Sequence, residues 1–170
     1  MDRLNLDWVA DDLAVGGAVP MPSYAWLAKD HGLSAVIDMR SEACDDADAL
    51  AQLGIAHLNL PVEDHAAPRV RHFDAAVTFA ERCAARGGKL FIHCQEGVGR
   101  APITALAVLA ARGEDPMAAL ERAKARRWQV SPNPVQYEAW RAWLQERVPR
   151  AAVPPFERFA AVAYRHLAPA

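Results

Sequence analysis

Three consecutive apolar residues, Leu90-Phe91-Ile92, fenced by Gly87-Gly88 on one side and by Gly97 and Gly99 on the other, constrain this chain more than any other feature. A strand covered on one face alternates apolar and polar residues, whereas a short unbroken apolar run belongs to a strand covered on both faces. Helical patterns lie on either side of it, Pro68–Arg86 before and Arg100–Arg112 after. The same alternation runs through the rest of the chain. Leu13–Gly17, Ala35–Met39 and Ile55–Leu60 read as strands, the last ended by Pro61, and Pro22–His31 and Asp45–Leu53 read as helices stopped by Gly32 and Gly54. Helices over Pro116–Arg127 and Pro134–Arg147 follow. This order predicts an α/β fold with a central, mostly parallel, twisted sheet flanked by helices.

The predicted domain covers residues 1–147. Beyond it Pro149, Pro154 and Pro155 interrupt the helical pattern, and Phe156, Phe159, Ala160, Ala163 and Leu167 then fall on one helical face. Residues 148–170 are therefore expected to be a proline-containing linker and an amphipathic helix, either docked on the domain or offered to a protein partner. Net charge is −2 and the sequence pI about 6.3, which argues against a nucleic-acid surface. The longest uncharged apolar run, Ala101–Ala111, falls far short of the roughly 20 residues of a spanning helix. Met1–Asp7 is polar and acidic, unlike a signal peptide, and Cys44, Cys83 and Cys94 are too scattered for a disulfide scaffold or a zinc knuckle. A cytoplasmic chain without membrane anchor, metal or cofactor is expected. Arg outnumbers Lys 16 to 3, a bias typical of GC-rich bacterial coding.

Chemistry concentrates where the Leu90-Phe91-Ile92-His93 strand ends at Cys94. Gln95, Glu96, Gly97, Val98 and Gly99 form a loop, and Arg100 opens the next helix with Pro102 in its first turn. Glycines let a backbone curl until successive N–H groups face one point, and a helix N-terminus adds unpaired N–H groups and partial positive charge. The result is an anion cradle, to which Arg100 adds a planar fork for two phosphate oxygens. Cys94 lies at its floor. Free cysteine is only about 3% thiolate at pH 7, and donors that hold a phosphate also favour a thiolate. A buried structural thiol is the competing reading of Cys94, and a core histidine that of His93.

His-Cys-x-x-Gly-x-x-Arg over residues 93–100 is the signature of the cysteine-dependent protein phosphatases, which this chain resembles. Over about residues 5–147 its arrangement resembles the small dual-specificity branch. The resemblance implies attack by Cys94 on phosphorus and clamping of the phosphoryl group by residues 95–100. Asp64, in Pro61-Val62-Glu63-Asp64-His65, would be the general acid, with Glu63 its local rival. The family usually has Ser or Thr after the arginine, where this chain has Ala101. Gly-Val-Gly-Arg-Ala-Pro looks most like the phosphatases of regenerating liver, which share the alanine, are slow, and also act as binding partners of magnesium-transport membrane proteins. Their prenylation box has no counterpart in His166–Ala170.

The resemblance implies a phosphorylated protein as substrate, and Glu96 in the loop disfavours polyanionic inositol rings. Two further readings stand beside hydrolysis: a slow or pseudo-phosphatase serving as a binding module, and a rhodanese-like sulfur transferase. Gln136 is expected either to position water or, with Asn133, to form a helix capping box. Asp38 and Arg40 read as a structural ion pair, with substrate binding by Arg40 the alternative. Cys44 is a possible disulfide partner of Cys94 on oxidation. Trp128, Trp140 and Trp143 read as core at helical spacing.

Overall fold

The computed structural model describes residues 4–167. Met1–Arg3 and Ala168–Ala170, which belong to the terminal stretches read above for targeting signals, lie outside the described residues. Five strands form one sheet: β1 (Leu6–Ala10), β2 (Leu13–Gly16), β3 (Leu33–Arg40), β4 (Ala56–Val62) and β5 (Lys89–His93). Their spatial order is β1-β2-β5-β3-β4. β2, β5, β3 and β4 run parallel to their neighbours, and β1 joins the edge antiparallel to β2. Among the described residues seven α-helices accompany the sheet, α1 (Pro22–His31), α2 (Ala47–Gln52), α3 (Val70–Ala84), α4 (Arg100–Ala111), α5 (Pro116–Arg126), α6 (Pro134–Arg147) and α7 (Phe156–Ala163), with one 3₁₀ turn at Arg165–Leu167.

Strand alternation sorts the core into two layers. Leu13, Val15, Ile37, Leu90 and Ile92 face one way, packing with residues of α3, α4, α5, α6 and α7. Ala14, Val36 and Phe91 face the other, against Tyr24 and Leu27 of α1 and Leu50 of α2. Phe91, with neighbours on both sides of its strand, is completely buried, as the unbroken apolar run requires. Helix α4 is buried along nearly its whole length, from Arg100 to Ala110. Local signals set the helix ends. Gly32 takes a left-handed φ of 72° after α1, and the Asp115 and Asn133 side chains cap α5 and α6.

One element is unforeseen and two expectations need correction. The antiparallel strand β1 has no counterpart among the predicted elements; its Leu-Asp-Trp-Val-Ala pattern is too short to stand out from a polar N-terminus. β4 runs through Pro61 rather than ending before it, because β4 is the sheet edge and needs no ladder amide there. Trp128 is not core: it is 64% exposed, whereas Trp140 and Trp143 are buried. It precedes Pro132 and Pro134, so the helical register of α6 never reaches it.

Helix α7 packs through Phe159, Val162 and Ala163 into the same cluster as α4 and α6. Phe159 is fully buried beside Tyr137 and Trp140, with ring centroids 4.9 and 5.8 Å away. Phe159→Ala is expected to lower the unfolding free energy by about 3–5 kcal/mol, read by urea denaturation. A loss within about 0.5 kcal/mol would place α7 outside the cooperative core.

Candidate active site

Each parallel strand delivers residues from its carboxyl end, where the chain leaves the sheet. β2 leads into Gly16-Gly17, β3 toward Glu42, β4 to Asp64 and β5 to Cys94. Gly16 and Asp38 both pair with His93, so these ends are level.

Between Cys94 and Arg100 the carbonyls point away from the turn. The Gln95 oxygen accepts from the Ala18 amide at 3.0 Å and the Val98 oxygen from the Ser131 amide at 3.0 Å. The Glu96 and Gly97 oxygens accept from Arg127, at 2.7 and 2.8 Å. A trans peptide holds its N–H opposite its C=O, so the amides of residues 96–99 are turned toward the hollow of the loop. The Gly97 amide donates to Cys94 Sγ at 3.2 Å. Gly97 has φ 70°, and a Cβ there would come within 2.2 Å of the Gly16 backbone. A Cβ at Gly99 would meet Gln136 Oε1 at 2.4 Å. Gly97 is thus demanded by space as well as by conformation, and Gly99 by the room that the Gln136 side chain takes.

Arg100 is buried, and its fork is fully engaged. Nη1 and Nη2 each donate to one oxygen of Glu42 at 2.8 Å, and Nη1 also donates to the Val62 carbonyl at 2.8 Å. Asp64 Oδ1 lies 3.0 Å from Nη2. Burial opposes the charge of Arg100, but Glu42, Cys94 and Asp64 outweigh it and raise the guanidinium pKa.

Behind the loop, His93 is buried between two oxygens. Its Nδ1 lies 3.2 Å from the Cys94 carbonyl and its Nε2 2.8 Å from Asp45 Oδ2. Tyr24 donates to the same Asp45 oxygen at 2.6 Å. Burial, followed by Asp45, drives the Tyr24 hydroxyl pKa far above its ordinary value. Arg40 binds Asp38 through Nε and Nη2 and reaches Asp45 at 2.8 Å. His93 is therefore a core residue that also ties the start of the loop to α1, and Arg40 is spent on ion pairing. Asp38, Asp45 and His93 place three metal-ligating atoms together, but their partners are these hydrogen bonds.

One cleft of about 220 Å³ joins Cys94, Glu96, Val98, Gly99, Arg100, Asp64 and Gln136, with His65, Ser131 and Asn133. Gln95 is exposed on its outer side and Gly97 is buried beneath it. Gln136 completes the capping box: its Oε1 accepts from the Asn133 amide at 3.0 Å, and its Nε2 donates to the Ala66 carbonyl at 3.0 Å. Glu63 does not line the cleft. All three cysteines are free thiols.

A family model described as a polymorphic toxin system DSP-PTPase phosphatase matches residues 15–114. The chain belongs to this phosphatase family. Dual specificity protein phosphatase 5 of Rattus norvegicus is 33% identical over 129 residues, which are 71% of this chain and 31% of that protein. Dual specificity protein phosphatase 1 of Mus musculus is 28% identical over 131 residues, 69% of this chain and 35% of the relative. The chain thus spans about a third of the length of the curated relatives it matches. Among solved structures, PTPMT1 in complex with PI(5)P superposes with a TM-score of 0.80 at 22% identity, covering 87% of this chain and 99% of that one. Human DUSP28 gives 0.73 at 23% identity over 85% and 95%.

In this DSP-PTPase chain Glu42 is one residue of the site that the sequence did not reveal. Its position two residues past β3 carries no motif, and only the folded register brings it to Arg100. The Arg100 hydrogen bond holds the Glu42 carboxyl at about 2, down from the usual 4.5. The folded value lies below the unfolded one, so the pair's contribution is complete above about 4.5 and is lost as pH falls toward about 2. Thermal melts between those limits should show a stability loss in wild type that is shallower in Glu42→Gln. Equal slopes would remove Glu42 from the acid response. Among the described residues no helix is long and apolar enough to cross a membrane.

Proposed function

We propose that the chain hydrolyses phosphomonoesters on phosphoproteins through a phosphocysteine intermediate. The observation that carries this reading is the Gly97 amide on Cys94 Sγ in a loop whose carbonyls are all held outward, with Arg100 lining the same cleft. Those amides can take the equatorial phosphate oxygens while the sulfur lies beneath phosphorus. Cys94 attacks as the thiolate, the S–P bond forms, and the P–O bond to the leaving alkoxide or phenoxide breaks. Asp64, which takes a proton from solvent when the phosphate replaces it on Arg100, gives that proton to the leaving oxygen. The resulting Asp64 carboxylate then takes a proton from water, which attacks phosphorus, and the S–P bond breaks to return thiolate and inorganic phosphate. Gln136 keeps one amide proton and one lone pair beyond its cap, enough to orient that water.

Asp64 touches Arg100 in this resting arrangement, where a phosphate oxygen would bind. An arriving dianion displaces it toward the leaving group, which is where an acid is required. The cleft is smaller than the roughly 300–1,000 Å³ of typical small-molecule sites. We read a site this small as taking phosphoserine and phosphothreonine as well as phosphotyrosine. Glu96, on the rim, adds negative charge against polyphosphorylated rings.

Ala101 supports one refinement. It is fully buried in the first turn of α4 and offers no hydroxyl to the departing sulfur, so breakdown of the phosphocysteine is the slow step. A phosphopeptide panel should show turnover that survives millimolar chelator, disappears in Cys94→Ser and falls about 100- to 10,000-fold in Asp64→Ala. Ala101→Ser should raise steady-state turnover and shorten the life of an acid-trapped phosphoenzyme. Activity retained by Cys94→Ser, or lost to the chelator, would defeat the scheme.

A further inference from the structure

Arg127 follows α5, yet its guanidinium lies against the outside of the loop from Cys94 to Arg100. The side chain is only 1% exposed. Its Nε donates to the Gly97 carbonyl at 2.8 Å, and Nη2 donates to the Glu96 carbonyl and to Asn5 Oδ1, both at 2.7 Å. Nη1 donates to Asp7 Oδ2 at 3.0 Å. We propose that Arg127, held by Asn5 and Asp7, is a positioning residue that fixes the two middle peptides of the phosphate-binding loop. The proposal rests on the phosphatase reading of that loop. Asn5, Asp7 and Arg127 all fall outside residues 15–114, where the family model matches.

The geometry is a relay through single peptides. The Glu96 carbonyl that accepts from Arg127 shares its peptide plane with the Gly97 amide that donates to Cys94 Sγ. The Gly97 carbonyl, also on Arg127, shares its plane with the Val98 amide. A cation on the oxygen end of a peptide strengthens the N–H at the other end. The outer carbonyls, of Gln95 and Val98, are held by backbone amides that no side-chain change removes. The middle of the loop therefore depends on Arg127, which alone holds the Gly97 carbonyl by a side chain and shares the Glu96 carbonyl with a longer contact of 3.5 Å from the Asn5 amide. Without it those two peptides are free to turn, and an inward carbonyl would repel both thiolate and phosphate. Space reinforces the point, since a Cβ on Gly97 would meet Arg127 Nη2 at 2.6 Å. Asn5 precedes β1 and Asp7 lies within it, so the edge strand becomes part of the site's support.

Arg127→Met, Arg127→Lys and Asn5→Ala should be compared with wild type on an aryl phosphate, with inorganic tungstate as competitive oxyanion and the rate of Cys94 alkylation by iodoacetate followed against pH. Circular dichroism melts report the fold. Arg127→Met is expected to stay folded, to lose about 100-fold in kcat/KM, to bind tungstate more weakly and to move the alkylation profile to higher pH. Arg127→Lys should recover only part, because an ammonium cannot fork to two carbonyls. Asn5→Ala should shift the same readouts less. Folded Arg127 variants with wild-type tungstate inhibition and a wild-type alkylation profile would overturn the proposal. Unfolding of both Arg127 variants would overturn it too, by making the residue a stability element. A wild type that binds tungstate but hydrolyses no ester would defeat the phosphatase reading alone, with the tungstate and alkylation comparisons still deciding the role of Arg127.

Discussion

Four consecutive carbonyls, from Gln95 to Val98, are each bound on the outer side of one short loop. A peptide cannot offer its oxygen outward without offering its hydrogen inward. The electropositive hollow around Cys94 is thus produced by what grips the loop from behind. Those grips come from distant parts of the chain: Ala18 after β2, Arg127 after α5 and Ser131 before α6. The sheet order makes this possible, since β5 is central and both its neighbours are parallel to it. A loop leaving a central strand is surrounded, whereas one leaving an edge is not.

The charges are arranged in two shells of opposite character. Arg100 is held by Glu42 on a bidentate pair and by Asp64 on a single contact. Bidentate carboxylate pairing is the stronger arrangement. On the proposed mechanism, a phosphate dianion entering the cleft would therefore displace Asp64 and leave Glu42 in place, so that the guanidinium stays aimed while the acid is released. Behind them, Asp38 and Asp45 share Arg40, and Asp45 also takes Tyr24 and His93. A buried cluster of this kind adds little net stability, but removing one member leaves a charge unpaired. It holds His93, and with it the start of the loop, in one position.

The parallel core was legible because its strands are apolar runs separated by glycine stops, and the Cys94–Arg100 loop because its spacing is local. Cys94, Arg100 and Asp64 meet in one cleft although Asp64 lies thirty residues upstream of Cys94, because both follow carboxyl ends of parallel strands. The Gln136 cap was legible for the same reason, being a four-residue pattern. Glu42, Asn5, Asp7 and Arg127 were not. Their partners are backbone carbonyls or side chains up to 122 positions away, and a charged residue in sequence looks the same whether it faces water or a buried oxygen. Trp128 misled for a related reason, since its spacing from Trp140 carries no meaning once prolines separate them.

Ala101 connects the packing to the chemistry. It belongs to the hydrophobic cluster that also contains Cys94 and the interior of α4. At that position a hydroxyl would need a partner, because a buried unpaired polar group costs about 1–3 kcal/mol. The methyl avoids this cost and lets the first turn of α4 pack as core. On the proposed mechanism, the same choice withholds a hydrogen-bond donor from the sulfur at the moment the S–P bond breaks, while the first chemical step, assigned to Arg100, the loop amides and Asp64, is untouched. A site working in that way would favour formation of the phosphocysteine over its breakdown. On the proposed mechanism, turnover and a long-lived phosphocysteine form presented to a protein partner are then two outcomes of one intermediate, separated by the lifetime of a single bond.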